Sequence, residues 1–88
     1  MMHETGLVRA LMRQIETAAE ASGAHRVVGV RVWLGALTHL SAGHFREHFA
    51  TEALGTKAEG ARLTITESTD ETDPRAQHLL LESVDLEV

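Results

Sequence analysis

The chain has 88 residues, a formal charge of −5 with histidine neutral, and no cysteine. That length suits one small domain, the acidic balance argues against nucleic acid, whose recognition rests on clustered Lys and Arg, and the missing cysteines remove disulfides, thiolate zinc sites, iron–sulfur clusters and a Cys nucleophile. No apolar run approaches the roughly 20 residues a membrane span needs, and the start turns polar too soon for a signal peptide, so the expectation is a soluble cytoplasmic domain with no membrane partner.

The first helix is expected over 3–22. Leu7, Leu11 and Ile15 form one apolar row with Val8, Met12 and Ala19 beside it, and Gly23 is a natural stop. His3 and Glu4 fall at or just before the helix start, where a carboxylate suits the positive end of the helix dipole. The dense β-branched run RVVGVRVWL over 26–34 predicts a strand. Its alternation assigns Val28, Val30, Val32 and Leu34 to the core, and Val27, Gly29, Arg31 and Trp33 to a partly covered or exposed face.

Ser41 reads as an N-cap. The helix AGHFREHFATEAL follows, with Phe45 and Phe49 four apart, and Gly55 closes it. EGARLTITE predicts a strand with Leu63 and Ile65 on one side, STDETDP is an acidic loop, and QHLLLESVDLEV is a strand whose alternation slips between Leu81 and Val84, the mark of a bulge. The expected fold is α+β: two helices packed on one face of a small three-stranded mixed sheet, in the order α-β-α-β-β. The last two strands, joined by the acidic loop, are expected to pair antiparallel.

Three groups could carry chemistry. The opening Met-Met-His-Glu offers a terminal amine, backbone amides and an imidazole, a nitrogen-rich plane that suits Ni(II) or Cu(II). From Met2, the donors are the Met2 amine and the His3 amide and ring, with one position open. From Met1, the amine, the amides of Met2 and His3 and the His3 ring fill the plane. Read from the residues alone, a solvated terminal histidine is the better explanation of this stretch. His44, His48 and Glu52 lie four apart on one helix row, a spacing that can put two imidazoles on one metal. The simpler reading is a solvent-facing row, and His39 in the preceding loop is a further candidate ligand. Asp70, Glu71 and Asp73 read as a solvated acidic turn, His25 and His78 as solvated side chains. There is no nucleophile–base pair and no Gly-rich phosphate loop, which argues against an enzyme.

The order of these stretches resembles the HypA/HybF family of nickel metallochaperones. The resemblance is carried by MHE at 2–4, GAHRVVGVRVWLGAL, HFREHFATEALGTKAEGARLTI and LLLESVDLEV, which together span nearly the whole chain. It implies that Ni(II) is held at the terminal Met-His-Glu: His3 through ring and amide, Glu4 through its amide or beside the site, and Met2 through its amine. His39, His44 and His48 are additional candidate ligands. The implied partners are a nickel-enzyme precursor, such as a [NiFe] hydrogenase large subunit, and a maturation GTPase. The family carries a zinc domain with two Cys-x-x-Cys pairs before its closing strand. Here a short acidic loop around 67–77 stands in its place, so 1–88 reads as a single nickel-binding domain without structural zinc. The Glu common after the strand-ending Gly is Ala36. The alternative is a HypA-like interaction or adaptor module that has lost metal transfer. An exposed sheet edge is compatible with a homodimer.

Overall fold

The computed structural model describes residues 4–88; Met1, Met2 and His3 lie outside the described residues. The elements follow the expected order: α1 (Glu4–Ala21), β1 (Arg26–Leu34), α2 (Ala42–Ala53), β2 (Arg62–Glu67) and β3 (Leu79–Glu87). In α1 the residues Val8, Leu11, Met12, Ile15 and Ala19 are buried along one stripe. The helix ends at Gly23, whose φ of 63° lies in the left-handed region that glycine adopts without strain. There Ala24 N–H donates to the Ala19 carbonyl at 2.9 Å and Gly23 N–H to the Glu20 carbonyl at 3.1 Å, the paired bonds of a Schellman turn.

The strand order is β2-β1-β3, with β1 parallel to β2 and antiparallel to β3. This corrects the expected pairing of the last two strands: each pairs with β1, and they lie on its opposite sides. The reason is the burial demand of β1, where Val27, Val30, Val32 and Leu34 are all buried. The polar Arg62, Thr64 and Thr66 of β2 are exposed, as suits an edge strand. After β2 the chain crosses the end of β1. Ser68 N–H donates to the Leu34 carbonyl at 2.9 Å, Leu37 N–H to the Ala76 carbonyl at 2.7 Å, and Gly35 N–H to the His78 carbonyl at 3.0 Å. The crossing is so close that a Cβ on Gly35 would stand 2.3 Å from the Ala76 carbonyl oxygen.

A second correction concerns the faces of β1. Val27 is buried and Val28 is 39% exposed, the reverse of simple alternation. Val27 pairs with Leu86 but Gly29 with Asp85, so Val28 is an extra residue in β1, and the bulge inverts the faces before it. Glycine suits this bend, because Asp85 already occupies the place of a Cβ on Gly29. The slip expected in the last strand is present: Arg31 pairs with Ser83 and Val32 with Leu81, which leaves Glu82 unpaired.

The helices and sheet share one core. Phe45 and Phe49, with ring centroids 6.2 Å apart, pack with Val8, Ile15, Val30 and Val32. On the other face of the sheet Arg31 is exposed, and Trp33 is half-buried under the Arg75 guanidinium, 4.8 Å from its ring centroid.

Candidate metal centre

The start of α2 sets the site. The Ser41 Oγ accepts from the His44 backbone N–H at 3.1 Å and caps the helix. Phe45 and Phe49 are buried, which fixes the rotation of α2 about its axis. His44, His48 and Glu52, each adjacent in the helical net to this aromatic row, are thereby turned onto α1. The row is therefore the border of the α1–α2 seam and is not simply solvent-facing. Glu52 Oε1 accepts from Arg9 Nε at 2.9 Å. One turn earlier, Glu4 meets both histidines: His48 Nδ1 is 3.7 Å from Glu4 Oε1, and His44 Nδ1 is 3.8 Å from Glu4 Oε2.

These separations are too long for hydrogen bonds. Glu4 Oε1 is buried and has no hydrogen-bond partner. A carboxylate oxygen shut off from water in this way is rare in a native fold. The three side chains differ in access: His44 is 70% exposed, and His48 and Glu4 are each 23% exposed. Glu4 shares the stripe of Val8, Leu11 and Ile15, so a charged residue opens the apolar face of α1. That spacing was the available signal for Glu4 as a side-chain participant. What pattern alone could not show was its partner, because that depends on how the two helices pack.

The other expected residues are dispersed. His39 has a positive φ of 61° and does not join the seam; with Glu4, Leu7, Leu11, Leu40 and Leu79 it lines a groove of about 780 Å³ between α1, the 37–40 loop and the start of β3. Met2 and His3, the expected terminal ligands, lie outside the described residues. His25 and His78 are exposed. The acidic loop satisfies itself: Thr72 donates to Asp70 through its hydroxyl at 2.6 Å and its N–H at 2.9 Å, and Arg75 donates to Asp73 through its N–H at 2.7 Å. Those bonds hold both carboxyls below their ordinary range, Asp70 through the Thr72 hydroxyl first and Asp73 through the Arg75 side chain first. Among the described residues no three His, Cys, Asp or Glu side chains already stand at metal-holding distances.

A family model described as "Hydrogenase/urease nickel incorporation, metallochaperone, hypA" matches residues 2–74. The chain belongs to the HypA family. The match begins at Met2 and so includes His3 and Glu4. The fold agrees with the solution structure of the Ni metallochaperone HypA from Helicobacter pylori, at a TM-score of 0.80 and 18% identity over 98% of each chain. It also agrees with a second HypA solution structure, at a TM-score of 0.70 and 19% identity over 98% of this chain and 97% of that one. No curated protein sequence matches. HypA is a metallochaperone for nickel incorporation into hydrogenase and urease, so this HypA chain is a carrier and not an enzyme, and enzyme precursors are its implied clients. Among the described residues no helix is long and apolar enough to cross a membrane.

Proposed function

We propose that this HypA chain binds Ni(II) at its terminal Met-His-Glu and passes it to a nickel-enzyme precursor such as a hydrogenase large subunit. The Met2 amine with the His3 amide and ring would take three positions of a square plane, and the fourth stays open for an incoming donor. The observation that carries the reading is the family match from Met2 onward, together with Glu4 standing at the first turn of α1. Such a site would adjoin the first turn of α1, which begins at Glu4. Transfer is then ligand exchange: Ni–donor bonds to the client form as those to the carrier break, and no covalent bond within the client changes. A maturation GTPase is the second partner, and the cytoplasm is where such an exchange would occur. The single domain over 1–88, with the acidic loop in the place of a zinc domain, would work as a nickel module without structural zinc, since the chain has no cysteine.

The test compares two amino-terminal forms, one beginning at Met2 and one retaining Met1, each loaded with Ni(II) and mixed with apo large subunit. The Met2 form should transfer faster, because Met1 closes the fourth position. Equal rates for both forms and for His3→Ala would sink the reading. A second reading, an adaptor that has lost metal transfer, is favoured by the absence of cysteine. It predicts that a client is captured equally well with and without chelator.

A further inference from the structure

We propose that Glu4, His44 and His48 form a second cation site on the α1–α2 seam, which takes Ni(II) through side chains alone and without the terminal amine. The carboxylate presents one oxygen to each imidazole, at 3.7 Å and 3.8 Å to Nδ1. Three donors on one ion with bonds of about 2.1 Å stand about 3.0–3.4 Å from one another. Each carboxylate–imidazole pair needs a contraction of roughly half an ångström to reach this, and His44, 70% exposed, has room to swing toward the ion. No preformed three-ligand cluster stands among the described residues, so the ion has to draw the three side chains together.

Two further observations point to a cation. Glu4 Oε1 is buried without a hydrogen-bond partner, an arrangement that costs stability unless something is bound there. The nearest guanidinium along α1, that of Arg9, is engaged by Glu52 at 2.9 Å and does not neutralise Glu4. The donor set of two imidazoles and a carboxylate selects a borderline first-row ion over Ca(II) or Mg(II). With three protein donors the ion keeps positions for water or for a client's ligand. The seam is then a staging site beside the terminal one, with different geometry: six-coordinate and paramagnetic Ni(II) here, square-planar and diamagnetic Ni(II) at the terminus.

This inference does not depend on the terminal site, and one experiment separates them. Ni(II) is titrated into the full chain carrying His3→Ala, with calorimetry and NMR of the histidine ring protons, and then into the same chain with His48→Gln or Glu4→Gln added. His48 and Glu4 are partly exposed, and circular dichroism checks that each variant is folded. The seam site predicts that His3→Ala still binds, with paramagnetic broadening of His44 and His48, and that either added substitution weakens this binding about tenfold or more. Folded His3→Ala protein that binds no Ni(II), or that binds it with His44 and His48 unbroadened, overturns the seam site and leaves the terminal reading standing. An unsubstituted chain that binds no Ni(II) beyond the one seam equivalent seen in His3→Ala supports the seam site and overturns the terminal reading.

Discussion

Replacing Glu4 by methionine should make the metal-free protein more stable while weakening its hold on metal. Glu4 Oε1 is buried with no hydrogen-bond partner, and the side chain is only 23% exposed. An unsatisfied buried polar group costs about 1–3 kcal/mol. Against this stands the favourable position of a carboxylate in the first turn of α1, worth about 0.3–1 kcal/mol. Methionine has nearly the same length and extends the apolar stripe of Val8, Leu11 and Ile15. The expected net gain is about 1 kcal/mol, or a rise in Tm of about 4–8 °C for a domain of this size. The assay is thermal unfolding in chelator at about pH 8, where free imidazole is neutral. A Tm that is unchanged, or that falls, would refute the reasoning, because it would mean that the carboxylate is already well satisfied in the metal-free state.

Gly35→Ala should be strongly destabilising, by roughly 2 kcal/mol or more, because its Cβ would meet the Ala76 carbonyl oxygen at 2.3 Å and force the crossing loop off the end of β1; denaturant unfolding reads the loss. Val27→Ala should cost about 2 kcal/mol and Val28→Ala at most about 0.5 kcal/mol, since the bulge buries the first and exposes the second; equal losses would remove the bulge from the account. In the acidic loop, hydrogen bonds lower the carboxyls of Asp70 and Asp73. A lowered carboxyl stabilises the loop fully above its unfolded value of about 3.9 and loses that contribution as pH falls through the still lower folded value. An NMR titration should therefore give Asp73 a midpoint below the ordinary 3.8, moving up toward it in Arg75→Ala.

The sequence and the structure agree where local rules suffice. The apolar rows of α1, the Ser41 cap, the glycine stop at 23 and the extra residue near Glu82 follow from periodicity and capping, which act over one or two turns. Agreement ends where distant segments choose each other. The partner of β3 is set by the demand of β1 for cover on both edges, and adjacency in the chain favoured β2 instead. The inverted burial of Val27 and Val28 follows from one extra residue opposite β3, which the even run of valines conceals. The same limit governs the site. Spacing put His44, His48 and Glu52 on one row, and only the packing of α2 on α1 set Glu4 against the histidines and Arg9 against Glu52.

We propose that nickel is held at the terminal Met-His-Glu. The most direct test is a Ni(II) titration of protein with a verified amino terminus, followed by calorimetry and visible absorption, beside His3→Ala. A terminal site gives a tight first equivalent with a square-planar spectrum, and His3→Ala loses that spectrum and that equivalent, keeping only the paramagnetic binding of the seam. Tight binding that is indifferent to His3, or no binding at all, would contradict the terminal site.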